Sequence, residues 1–140
     1  MVRTGFLGLK RWKPDLTRES PPKREWPTYI EPLDIRTFHD FIAKYPVSLI
    51  DFYSPACKPC KAISPQIRLL SKCYKYRIAF GKVNVFDNRE IAEEYHIMSV
   101  PYLFIFSYGE KVKSLLGKNL VAEIDVALQE ILAEFEKKHS

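Results

Sequence analysis

Residues 47–60 read Val47-Ser48-Leu49-Ile50-Asp51-Phe52-Tyr53-Ser54-Pro55-Ala56-Cys57-Lys58-Pro59-Cys60. The first seven are mostly apolar and predict a strand buried on both faces. Ser54-Pro55 breaks it. A helix is predicted from about Cys57 to about Tyr74, with Ile63, Ile67, Leu70 and Tyr74 on one face and a kink at Pro65. Positions i and i+3 share a helix face, so the sulfurs of Cys57 and Cys60 can meet. The free N–H groups and the macrodipole at a helix N-terminus favour an anion, so the Cys57 thiolate is stabilised there. Lys58 adds a positive charge beside it. The pattern predicts Cys57 as nucleophile and Cys60 as resolving thiol in disulfide exchange.

The flanking sequence continues an alternation of helices and strands. Upstream, Phe38, Phe41, Ile42 and Tyr45 have helical spacing behind Asp34 as a cap, and Pro46 ends that helix. Downstream, a strand is predicted over Ile78 to Phe86, a short helix over Arg89 to Tyr95, and a strand over Tyr102 to Phe106 behind Pro101. Tyr108-Gly109 reads as the tip of a hairpin into Lys111 to Leu116. Leu120, Ile124, Ala127, Leu128, Ile131, Leu132 and Phe135 mark a long amphipathic C-terminal helix. The order implies a layered α/β domain with a parallel part and an antiparallel hairpin.

At 140 residues, 46% hydrophobic and 14% aromatic, the chain has the size and composition of one folded domain. It has no apolar run long enough for a transmembrane helix. Its three cysteines, two in a pair and one alone, do not make a secreted disulfide scaffold and fit an intracellular, cytoplasmic protein. The net charge of +5 is uneven: residues 1–27 carry +4 and residues 28–140 only +1. Residues 1–28 are therefore read as a basic, Pro-rich extension and residues 29–140 as the domain. Pro14, Pro21, Pro22 and Pro27 interrupt regular structure in the extension. It is expected to be a flexible tail, partly docked through Trp12 or Trp26. Contact with nucleic acid or a membrane through the tail has no support beyond its charge. A mitochondrial presequence is the minor alternative, since the first 14 residues hold four basic residues and no acid, but they are poor in serine.

Three features need weighing beside the cysteine pair. A structural zinc site needs four ligands. Cys73 lies about 220° around and about 20 Å along the predicted helix from Cys60, which removes it as a partner, and no paired histidines follow. No metal or cofactor is expected, and Cys73 is read as a partly buried helix residue. Asp51, an acid inside an apolar strand, is either a buried proton acceptor for Cys60 or a residue satisfied by solvent or by a lysine such as Lys82. Pro101 either follows a cis bond that turns the Val100 backbone toward an extended substrate, or is an ordinary trans proline at a strand edge.

Together these features resemble thioredoxin, over about Asp34 to Ala133. VSLIDFYSPACKPC (residues 47–60) is similar to the family's V-x-V-D-F-W-A-x-W-C-G-P-C, and the run through Pro65 to its continuation. Lys82-Val83-Asn84-Val85, Ser99-Val100-Pro101-Tyr102 and Tyr108-Gly109-Glu110 match its K-x-N-V strand, G-[IV]-P-T loop and N-G-E hairpin. The resemblance implies a thioredoxin fold, a central mixed sheet of four to five strands flanked by helices. It implies a redox disulfide Cys57–Cys60, Asp51 as buried acid with Lys82 as its partner, and Pro101 as a cis proline. It also implies substrate contacts at Lys58, Pro59, Val100, Pro101 and Gly117. Three departures stand out: Ala56 replaces the tryptophan before the first cysteine, Lys58 replaces the motif's glycine, and Tyr102 replaces the threonine. The first removes apolar surface beside the nucleophile, and the second raises the potential by favouring the thiolate.

The expected activity is reduction of protein disulfides by dithiol exchange, recharged by a disulfide reductase. The alternatives are a disulfide oxidase or isomerase, and a binding module with a basic docking tail.

Overall fold

The structure is a computed structural model and describes residues 12–116 and 120–139. Among the described residues, a 3₁₀ turn at Lys23–Glu25 is followed by β1 (Glu31–Leu33), α1 (Phe38–Lys44), β2 (Ser48–Tyr53), α2 (Lys58–Cys73), β3 (Ala79–Asn84), α3 (Arg89–Glu94), β4 (Tyr102–Ser107), β5 (Glu110–Leu116) and α4 (Leu120–His139). The sheet order is β1-β3-β2-β4-β5. β1, β3 and β2 run parallel, and β4 and β5 add on antiparallel. This is a five-stranded mixed sheet flanked by helices.

Residues alternate between the two faces of the sheet. Leu49, Phe80, Leu103 and Ile105 pack with Ile63, Ile67 and Leu70 of α2 and Ile124, Leu128 and Ile131 of α4. Ile50, Phe52, Val83, Phe104 and Phe106 pack on the other face with Phe38, Phe41 and Ile42 of α1 and Ile91 of α3. The central strands are covered on both sides, which is why β2 and β4 read as apolar runs without polar alternation. The same alternation turns Asp51 and Lys82 toward α2, and the two are register partners between β2 and β3.

Two elements differ from the sequence expectation. β1 was not foreseen: it is three residues long with Pro32 at its centre, and it is tolerated because it lies at the sheet edge. α1 begins at Phe38, because the Asp34 side chain accepts from the N–H groups of Arg36 and Thr37 and so closes the preceding turn, not the helix itself. Tyr108 and Gly109 both have positive φ, +47° and +88°, as a two-residue hairpin turn with the right-handed strand twist requires.

From Trp12 on, the N-terminal segment is packed on the domain. Trp12 and Trp26 are buried, one on each face of the sheet. The Trp26 indole N–H donates to the Pro21 carbonyl at 2.9 Å, and its ring lies 4.9 Å from that of Tyr45. The Tyr45 hydroxyl donates to the Glu25 carbonyl at 2.8 Å. The Arg18 guanidinium lies 4.6 Å over the Tyr108 ring, and the Tyr108 hydroxyl donates to the Arg18 carbonyl. These anchors flank the start of β2, since Tyr45 leads into that strand and Tyr108 leaves β4, whose Phe106 pairs with Ser48.

Candidate active site

β2 ends at Tyr53, and Ser54-Pro55-Ala56 lead to Cys57, the N-cap of α2. The Cys57 N–H donates to the Ser54 carbonyl at 3.2 Å, which folds the loop back on itself. Cys57 Sγ accepts the backbone N–H of Cys60 at 3.1 Å, so a sulfur occupies the capping place of a hydroxyl or carboxylate. The first turn of α2 contains no acid. A thiolate at Cys57 therefore meets N–H donors, the positive end of the helix and Lys58, each of which favours a negative charge there.

Cys57 and Cys60 are joined as a disulfide, with Cα atoms 5.2 Å apart. Their exposures differ. Cys57 is half-buried beside the exposed Lys58 and Pro59, while Cys60 is only 5% exposed. Only the first sulfur is presented to a macromolecule.

Behind Cys60 lies a cavity of about 170 Å³ lined by Asp51, Tyr53, Cys60, Lys61, Ser64 and Lys82. Asp51 is 7% exposed, and its Oδ1 has no hydrogen-bond partner among the described residues. Burial pushes its carboxyl up to about 7, with the Lys82 ammonium pulling the other way. Lys82 forms no salt bridge with Asp51 within 4 Å; its ammonium lies 5.8 Å from the centre of the Tyr53 ring. The pair thus interacts through the cavity by charge without direct contact. The cavity is polar enough to admit water. A carboxyl poised near neutrality, on the wall shared with the buried cysteine, can exchange a proton with it.

The Val100–Pro101 peptide is cis. Pro101 is buried and Val100 half-buried. The next residue, Tyr102, pairs with Phe52, one position before the end of β2. The loop therefore sits at the end of the sheet that carries Cys57. Met98, 93% exposed, stands just before it. Gly117 lies outside the described residues.

Sequence reasoning missed Ser64 and Met98. Ser64 follows Cys60 by four residues, so helical spacing alone would have put it on the same side. No local pattern distinguishes Met98 from a residue bound for the core. Cys73 corrects an expectation: it is exposed, at the last position of α2, because its place on the helix is turned away from the buried row Ile63, Ile67 and Leu70.

The thioredoxin family model matches residues 30–130. The chain is 42% identical over 69 residues to a thioredoxin of Porphyra purpurea, covering 49% of this chain and 64% of that protein. It therefore spans just under two thirds of that relative's length. A chloroplastic M-type thioredoxin of Spinacia oleracea is 32% identical over 127 residues, covering 80% of this chain and 70% of the relative. Among solved structures, a mutant thioredoxin from Halobacterium salinarum NRC-1 superposes with a TM-score of 0.70 at 25% identity, over 76% of this chain and 94% of that one.

Proposed function

The chain belongs to the thioredoxin family, and from that membership we propose that it is a thiol–disulfide oxidoreductase that reduces protein disulfides through Cys57 and Cys60. The observation that carries the proposal is the asymmetry of the pair. A half-exposed sulfur caps a helix, and a buried one lies within disulfide reach of it, on a cavity shared with a carboxyl near neutrality.

In the reduced protein, the Cys57 thiolate attacks one sulfur of the substrate disulfide. A Cys57–substrate bond forms, and the substrate's own S–S bond breaks, releasing the first substrate thiolate. Cys60 then gives its proton to the Asp51 carboxylate, directly or through a water, and attacks Cys57 Sγ. The Cys57–Cys60 disulfide forms, and the second substrate thiolate leaves. Two electrons have passed to the substrate, and a disulfide reductase returns them, with two protons, to the pair. Lys82 keeps Asp51 available as a base by opposing the effect of burial. Lys58 and Pro59 lie beside the attacking sulfur, and the Val100 backbone before cis Pro101 pairs with an extended substrate chain, as in strand addition. Gly117 is assigned to the same contact surface by its position in the family's pattern. The cysteine usage supports a reducing compartment, the cytoplasm.

The test is reduction of a model disulfide protein, with a dithiol as electron donor, by wild type, Cys57→Ser and Cys60→Ser. Neither variant is expected to turn over, and Cys60→Ser is expected to trap a mixed disulfide. Full activity in Cys57→Ser would overturn the assignment. A reduction potential near that of protein disulfide isomerase would replace reductase by oxidase or isomerase.

A further inference from the structure

The near-neutral charge of the domain hides a local imbalance. Residues 52–86 contain seven basic residues, Lys58, Lys61, Arg68, Lys72, Lys75, Arg77 and Lys82, and no aspartate or glutamate. Four of them lie on α2. At about 100° per residue, Lys58, Lys61, Arg68 and Lys72 fall within an arc of about 80° and extend over about 21 Å. All four are exposed, opposite the buried row that holds α2 on the sheet. None makes an ion pair among the described residues, whereas Arg77 is paired with Glu136 at 3.2 Å. The Arg68 guanidinium donates to Ser64 Oγ at 3.1 Å, which keeps it in the row.

The row has two further properties. Leu69, 61% exposed, runs beside it with the exposed Ala62 and Pro65, so basic and apolar surface lie side by side. On the opposite face of the sheet, the segment Asp87 to Glu94 exposes Asp87, Glu90, Glu93 and Glu94 against the single basic Arg89. α2 and the α3 segment therefore carry opposite charge, while α4, packed beside α2 on its face of the sheet, adds Glu123, Asp125 and Glu130.

We propose that the row Lys58, Lys61, Arg68 and Lys72 on α2 is a docking track for protein substrates that carry an acidic segment beside the disulfide to be reduced. The proposal rests on the disulfide-reductase reading. The track starts between the two cysteines, so a segment bound along it brings its neighbouring disulfide to Cys57. The opposite charge on the α3 side sets the direction in which that segment lies, because the reversed orientation places like charges together. A single row of four cations with an apolar companion fits an acidic, partly apolar polypeptide. A nucleic acid carries no disulfide to deliver and calls for a broader basic surface.

The experiment uses the full chain and two synthetic peptides that differ only in three glutamates or three lysines beside the same disulfide. At low ionic strength, kcat/KM is expected to be about tenfold higher for the glutamate peptide, and the preference should shrink toward one as salt shortens the screening length. The double variant Arg68→Glu/Lys72→Glu is expected to abolish or invert the preference. Equal kcat/KM for the two peptides in wild type, or a preference that survives the double reversal, would overturn the track and leave the reductase activity standing. Reduction of neither peptide would remove the activity itself, and the track with it. A single-stranded oligonucleotide that competes with the glutamate peptide more strongly than a disulfide-free oligoglutamate of equal charge would reassign the surface to nucleic acid and overturn the proposal.

Discussion

Asp51 is the residue at which folding and chemistry are in conflict. Its carboxyl rises from 3.8 to about 7 because burial disfavours the charged form. The folded protein therefore holds a proton that the unfolded chain has already released between those two values, and its stability falls as pH rises through that window. The favourable contribution is fully present below about pH 4 and gone above about pH 7. Asp51→Asn removes the conflict. In the disulfide form it should stabilise the protein by about 2–4 kcal/mol at pH 8 and by nothing measurable at pH 3.5, read from urea unfolding across pH. The same variant should slow resolution of the mixed disulfide, as the proposed proton transfer from Cys60 to Asp51 requires. An acid inside an apolar strand was legible from sequence as an anomaly, and only family resemblance favoured one explanation over the other. The cavity that gives it a role was not legible, because Tyr53, Ser64 and Lys82 reach it from three different elements.

Among the elements, α2 carries the capping cysteine and its disulfide partner, the proposed nucleophile and resolving thiol, and helical spacing alone marked the two sulfurs as able to meet. Its electrostatics can be tested at one position. Replacing the cation beside the capping sulfur by an anion, Lys58→Glu, should disfavour the Cys57 thiolate and move its alkylation to higher pH. The pH dependence of alkylation of the reduced protein by iodoacetamide checks this; an unchanged profile would leave the helix terminus as the sole source of thiolate stabilisation. Helix and strand periodicity also located α1, α3, α4 and four of the five strands. β1 escaped because a three-residue edge strand centred on proline has neither alternation nor β-propensity, and exists only because β3 offers it a free edge. The cis peptide at Pro101 was one of two open possibilities on sequence grounds, since the isomer depends on packing that a local pattern does not encode.

On the scale of the whole molecule, the N-terminal segment ties together parts distant in sequence. Among the described residues before β1, its prolines exclude regular helices and strands and leave only the 3₁₀ turn at Lys23–Glu25. They do not prevent docking, which two tryptophans achieve from opposite faces of the sheet. Trp12→Ala should lower stability by about 3–5 kcal/mol, as for other buried large-to-small changes. Turnover per folded molecule should stay unchanged, because the strap is anchored at the start of β2 and the cysteines follow its end. Thermal unfolding and disulfide-reduction assays on the same preparation separate the two; a large loss of turnover without loss of stability would contradict that placement.

The anchoring of Arg18 on Tyr108 also bears on the order in which the chain is made. The partners are 90 residues apart, so at about 5–20 residues per second the ribosome needs roughly 5–18 s to deliver the second after the first. Throughout that interval the Trp12 indole has been synthesised but the core cluster that holds it, which runs on to Phe135, is incomplete. The nascent N-terminus is then an exposed aromatic segment, open to chaperones that hold apolar peptides, and its burial marks the completion of the domain.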